Sequence, residues 1–199
     1  MTARPIIFSG PMVQALLAGR KTQTRRVAWG KERRLVKDAE HYDVLGWSWR
    51  EDAGDGLYYG APPSLWQRVQ PGDRLWVRET HYVWVAHQAP AGGSVILYRA
   101  DTPYAPTAWT PSIHMPRWAS RLTLVVTATR IERLQEITKA DVAAEGITER
   151  EGKSLAGVVA GWHEPFADLW DSLHGDGSWD ANPAVVVVTF TVHQSNADA

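Results

Sequence analysis

The chain has 199 residues, 44% of them hydrophobic, and a net charge of −1. That length suits one fairly large domain or two small ones, with enough apolar residues for a real core. The absence of cysteine excludes disulfides and thiolate zinc sites and fits a cytoplasmic protein.

"RPIIF" at 4–8 reads as a short strand, and the N-terminal "MTARPIIFSG" lacks the long apolar core of an export signal. In "SGPMVQALLAG", Ser9 or Gly10 can cap a helix and Pro11 suits its first turn. Val13, Leu16 and Leu17 give an apolar stripe, and Gly19 stops it. Residues 28–70 are polar and irregular, broken by "EDAGDG" and "GAPPS", and read as an insertion. Pro71-Gly72-Asp73 then turns into a strand through Leu75 and Val77. "HYVWVA" and "SVILYRA" make two more, joined by "PAGG".

Residues 102–118 carry four prolines and read as a long ordered loop. "RLTLVVTATRIERL" at 121–134 is the longest strand, and its length predicts a bend or bulge. "ITKADVAAEGI" is a short helix with Thr138 as cap, Asp141 three residues on and Gly146 as stop. "EPFADLWDSLHG" is a second, with Phe166, Leu169, Trp170 and Leu173 on one face. "AVVVVTFTV" at 184–192 closes the series as a buried strand, too short to cross a bilayer, and the tail "HQSNADA" is expected to fray. Five to seven strands and about three helices without β-α alternation predict an α+β fold with a small, curved or barrel-like sheet. The simplest organisation is one domain over 1–199, with an insertion at 28–70 and a loop at 102–118.

Charge is unevenly placed. Residues 1–37 hold nine basic residues and one acidic, whereas 141–199 hold ten acidic and two basic. Either an anionic partner meets the N-terminal part, or the two ends pair in the fold. Eleven tryptophans supply core, and some could serve as platforms for stacked bases. No Gly-rich phosphate loop occurs and the seven histidines have no ligand spacing, so neither a metal nor a cofactor is expected.

The stretch "LLAGRKTQTRRV" at 16–27 carries the chemistry. A desolvated Lys21 amine could act as base toward the Thr24 hydroxyl, while Arg20, Arg25 and Arg26 hold phosphates or a polar substrate edge. A solvated surface turn accounts for the same residues. On a regular strand Lys21 and Thr24 would face opposite sides, so catalysis requires a turn or bulge near Lys21-Thr22.

"Gly19-Arg20-Lys21-Thr22-Gln23-Thr24-Arg25-Arg26" resembles the G-x-K-x-x-E-x-R signature of the ASCH family. The helix "PMVQALLAG" precedes it, as in that family, and "PGDRLWVRE", "RLTLVVTATRIERLQEIT" and "AVVVVTF" resemble later family strands. The resemblance implies a PUA-like fold, a small β-barrel flanked by helices. "PSIHMPRWASR" and "GSWDANP" also look like phage and prophage proteins of this group. Thr24 stands where the family usually has Glu, as in bacterial ASCH amidohydrolases that deacetylate N(4)-acetylcytidine. Those use a lysine, that threonine and a glutamate on a later helix, which fall on Lys21, Thr24 and Glu145. The resemblance therefore implies hydrolysis of an N(4)-acylated cytosine by a lysine-activated threonine, with a nucleoside or RNA as substrate and no membrane partner. Backbone N–H groups or Arg26 would hold the oxyanion. A non-catalytic reader of RNA or modified nucleic acid, or a ribonuclease, is the alternative.

Arg78 and Glu79 lie at the end of a strand expected to edge the same cleft, to bind the base or each other. Trp76 or Trp118 could stack on a base and Arg117 could meet a phosphate. A proline-rich loop pinned by a buried Trp is the plain structural reading of the region around His114, Arg117 and Trp118.

Overall fold

The computed structural model describes residues 3–30, 33–35, 48–51, 58–85, 94–103, 108–147 and 161–198. The strands are β1 (Ala3–Ile7), β2 (Gln23–Val27), β3 (Arg33–Leu35), β4 (Ser48–Glu51), β5 (Tyr58–Ala61), β6 (Arg74–Arg78), β7 (His81–Val85), β8 (Ser94–Tyr98), β9 (Thr123–Arg133) and β10 (Ala184–His193). The α-helices are α1 (Gly10–Leu17), α2 (Lys139–Ala144) and α3 (Glu164–His174). The class is α+β.

The main sheet has the order β1-β6-β9-β10-β2, with β1 parallel to β6 and the other pairs antiparallel. The valine run of β10 is explained by burial on both faces, which removes the usual apolar–polar alternation. Val186 and Val188 face a core with Ile6, Leu75, Leu124 and the Val13–Leu16 face of α1. Val185 and Val187 face a second core with Leu134, Val142, Phe166 and Trp170. Helices α2 and α3 thus cover one side of the sheet and α1 the other.

The expected bulge falls on Thr127. Thr189 sits opposite Ala128 and Phe190 opposite Val126, so one residue of β9 has no partner. Among the described residues no backbone ladder joins the outer strands β1 and β2. Their link is the Arg26 guanidinium of β2, which donates to the Ile7 carbonyl of β1 at 3.3 Å. The sheet is therefore rolled but open, with a side-chain seam.

The chain leaves this sheet after Ala28 and returns to the same point. Gly30 N–H donates to the Pro62 carbonyl at 2.7 Å, and Ser64 N–H to that of Ala28 at 2.8 Å. Between them β3, β5 and β4 pair as a separate small sheet. Strands β7 and β8 pair as a hairpin, and their "PAGG" turn lies outside the described residues.

Two expectations need correction. The tail does not fray: the Asn196 amide donates to the carbonyls of Arg117, Trp118 and Ser120, and Arg74 donates to that of Ala197. Two of these carbonyls belong to the 3-10 turn Arg117–Ala119 and the third follows it, so the asparagine ties the tail to that turn. Nor does a buried Trp pin the proline-rich loop: Trp118 is 60% exposed, and Met115, Ala119 and the Tyr98 hydroxyl bond to the Ala119 carbonyl hold the segment instead. Among the described residues no helix is long and apolar enough to cross a membrane.

Candidate functional site

The site begins where α1 stops. Gly19 adopts φ +68°, and the N–H groups of Arg20 and Lys21 both donate to the Ala15 carbonyl, folding the chain back over the helix end. Lys21 then forms an isolated bridge with Glu145, and Thr22 N–H donates to the Ala144 carbonyl at 2.8 Å. β2 starts only at Gln23. This break in strand alternation satisfies the geometric condition for Lys21 and Thr24 to share one cavity.

Glu145 arrives from the other side, at the C-terminal end of α2. That helix is held at its start by reciprocal capping between Thr138 and Asp141. It is stopped by Gly146 at φ +82°. A Cβ on Gly146 would lie 2.7 Å from Ala15 Cβ and 2.9 Å from Lys21 Cβ, so only glycine lets the two helix ends approach this closely.

Lys21 is 1% exposed and Glu145 4%. Lys21 Nζ donates to Glu145 Oε2 at 2.7 Å and to the Glu145 carbonyl at 2.8 Å. Burial drives the lysine pKa down further than the Glu145 charge and hydrogen bond raise it, and the nearby Arg26 and Arg25 charges add to the lowering. The other carboxylate oxygen, Glu145 Oε1, accepts from Arg25 Nη1 at 3.2 Å. Arg25 is fixed in turn by Glu132 at 2.7 Å and Asp141 at 3.3 Å. Burial pushes Asp141 up, but the Thr138 hydrogen bonds and the Arg25 and Arg130 charges outweigh it and hold this carboxyl below its usual range. So part of the N-terminal positive charge pairs with C-terminal acids inside the fold.

Thr24 is 1% exposed, and its Oγ1 accepts from Arg26 Nη1 at 2.9 Å. Among the described residues no hydrogen bond joins Lys21 to Thr24. The Arg26 guanidinium lies 5.4 Å from the ring centres of both Phe8 and Trp66, a cation–π clamp that fixes its direction.

Lys21, Thr24, Arg25, Arg26 and Glu145 line one cavity of about 280 Å³ in the seam between β1 and β2. Its opposite wall is apolar: Ile7, Phe8 and Met12 from the β1–α1 corner, and Phe166, Leu169, Trp170, Leu173 and His174 from α3. Trp170 and His174 stack at 4.1 Å. The Trp170 indole N–H is buried without a partner. Burial, then the Arg26 charge, push the His174 pKa down. The volume is near the lower end for small-molecule sites, enough for a base or small nucleoside.

The other sequence candidates sit elsewhere. Arg20 points out of the cavity and donates to the Gly146 carbonyl at 3.1 Å. Trp76 is buried beneath the Arg78 guanidinium at 4.8 Å. Glu79 is a buried partner of Arg121, at 2.9 and 3.0 Å, and lines a separate cavity at the start of α1. Burial pushes the Glu79 carboxyl up against the opposing Arg121 charge. Arg117 pairs with Asp198. None of these, nor Trp118, lines the Lys21 cavity. Sequence reasoning missed Phe8, Trp170 and His174 as wall residues. The i, i+4 spacing of Trp170 and His174 was the available signal. Among the described residues no group of three His, Asp or Glu side chains is placed to hold a metal.

No family model matches the chain, and no curated protein matches it. A solved ASCH domain from Lactobacillus crispatus JV V101 is similar at 12% identity, covering 96% of this chain and 79% of that one, with a TM-score of 0.40. Such a score is too low to establish a shared fold.

Proposed function

We propose that the chain is an ASCH-type, PUA-like domain that hydrolyses the exocyclic amide of an N(4)-acylated cytosine nucleoside or a related modified base. The observation that carries this reading is the convergence of Lys21, Thr24 and Glu145 on one base-sized cavity, with Lys21 buried and its pKa lowered.

The substrate's acyl carbonyl sits against Thr24, and its base lies along the apolar wall. Closing the cavity to water favours transfer of a proton from Lys21 to Glu145 across their 2.7 Å hydrogen bond. The neutral amine takes the Thr24 proton as the oxygen attacks the carbonyl carbon. Arg26, already bonded to Thr24 Oγ1, stabilises the negative charge that develops on the carbonyl oxygen. Collapse breaks the C–N bond, and the Lys21 ammonium protonates the departing cytosine amine. Water, activated by the same amine, then cleaves the threonine ester and releases the acid. Arg25 is a positioning residue: it fixes the Glu145 carboxylate, whose second oxygen holds Lys21.

The alternative, a non-catalytic RNA reader or a ribonuclease, draws on the basic N-terminal segment. It is the weaker reading because Lys21, Arg25 and Arg26 turn inward. The test is incubation with N(4)-acetylcytidine and other acylated cytidines, following release of cytidine. Turnover lost in Lys21→Ala and Thr24→Ala, both still folded, is the expected result. No turnover of any of them, together with salt-sensitive RNA binding, would overturn the hydrolase in favour of the reader.

A further inference from the structure

The Lys21 cavity has a neighbour. A second hollow of about 460 Å³ shares Met12 and Leu169 with it and is also lined by Gln14, Asp168, Arg20 and Gly146. The two hollows therefore adjoin at Met12 and Leu169, and Gln14, Asp168 and Arg20 give the second a polar lining. Arg20 lines a third hollow as well.

Arg20 differs from its neighbours in the signature. Arg25 is enclosed by three carboxylates and Arg26 is clamped between rings. Among the described residues Arg20 has no ion pair. One of its N–H groups donates to the Gly146 carbonyl, which anchors the guanidinium and leaves the other donors for a ligand. An anchored fork of this kind suits phosphate, since little freedom is lost on binding. The exposed Asp168 of α3 lines the same hollow as Arg20, an acceptor suited to hydroxyl groups. The adjoining hollows thus offer an apolar wall for a base, an acceptor for hydroxyl groups and a donor fork for phosphate, the three parts of a nucleotide.

We infer that these adjoining hollows bind a phosphate-bearing cytosine nucleotide, with the base in the Lys21 cavity, the ribose hydroxyls at Asp168 and the phosphate at Arg20. The inference rests on the proposed nucleoside chemistry for what fills the inner cavity. Phosphate could come from a mononucleotide or from the next link of an RNA strand.

The test is a titration of the full chain with cytidine, cytidine 5′-monophosphate and a short single-stranded oligocytidylate, read by tryptophan fluorescence at low and moderate salt. The phosphate-bearing ligands are expected to bind about tenfold tighter than cytidine or better, the scale of one charge-assisted hydrogen bond. Salt reduces that advantage. Arg20→Ala and Arg20→Gln bring the affinity ratio toward one. Oligocytidylate binding tighter than the monophosphate identifies a strand as the source, and equal affinities identify the mononucleotide. Equal affinity of cytidine and its monophosphate, or no measurable binding of either, overturns the inference, as does an advantage that survives in both Arg20 variants. Deacylation measured on the same preparations keeps the two ideas apart. A phosphate preference without turnover removes the hydrolase and keeps the subsite, whereas turnover of the free nucleoside without any phosphate preference does the reverse.

Discussion

Replacing Glu145 by Gln tests whether the buried Lys21 is held charged by that carboxylate. The substitution keeps the shape and one acceptor for Lys21 Nζ but removes the carboxylate bonded to it, and takes from Arg25 one of its three carboxylate partners among the described residues. Breaking a buried pair in this way typically costs about 3–5 kcal/mol. There is also a ceiling, because Lys21 can shed its proton instead. Taking a lysine from its ordinary value of about 10.4 to neutrality at pH 7 costs about 5 kcal/mol, and no penalty for the stranded charge exceeds that. The sign with pH follows. Without Glu145 the folded-state pKa of Lys21 falls further below its unfolded value, so between the two values the unfolded chain binds more protons and stability rises with pH. Urea denaturation of wild type and Glu145→Gln at pH 6.5, 8 and 9.5 should show a loss of about 3–5 kcal/mol at the lowest pH that shrinks steadily toward the highest. A loss that stays the same across the series, or one below about 1 kcal/mol, would refute the buried-pair reasoning.

Three further substitutions probe the surroundings. Gly146→Ala meets Ala15 and Lys21 at contact distances no real Cβ adopts and adds left-handed strain of about 1–2 kcal/mol, so its melting temperature should drop clearly and any deacylase activity should fall with it. Trp170→Phe removes a buried N–H that has no partner, so stability should hold within about 1 kcal/mol while kcat/KM falls, since that donor faces ligand in the proposed complex. Equal loss of stability and activity would make Trp170 a packing residue only. Asn196→Ala removes three hydrogen bonds to the Arg117–Ser120 segment, so limited proteolysis should cut the C-terminal tail of the variant faster than that of wild type.

Much of this fold was legible because its signals were local. Pro11 and Gly19 bracketed α1, Thr138 and Gly146 bracketed α2, and the length of the 121–134 run announced the Thr127 bulge. The valine run read as buried, but only the structure shows that it divides two cores. What stayed hidden depended on contacts remote in sequence. Asn196 docks against residues nearly 80 positions earlier, and no pattern in "HQSNADA" announces it. In the site, Lys21 and Thr24 were named from residue type and spacing and Glu145 only through a resemblance, and their meeting depended on one irregularity at Lys21-Thr22. Arg78, Glu79, Trp76, Arg117 and Trp118 carried the right chemistry for a nucleotide site and lie outside the cavity. Residue type signals what a side chain can do, while its partner, here Arg121 for Glu79 and Asp198 for Arg117, comes from the packing.

Activation of Thr24 by Lys21 should be visible in the pH dependence of deacylation. A general base works only when deprotonated, so kcat/KM for N(4)-acetylcytidine should rise with pH along a limb whose apparent pKa, belonging to the Lys21–Glu145 pair, lies below the ordinary lysine value. That limb should vanish with the activity in Lys21→Ala and move in Glu145→Gln. A flat profile in wild type, or an unchanged limb in either variant, would contradict the account.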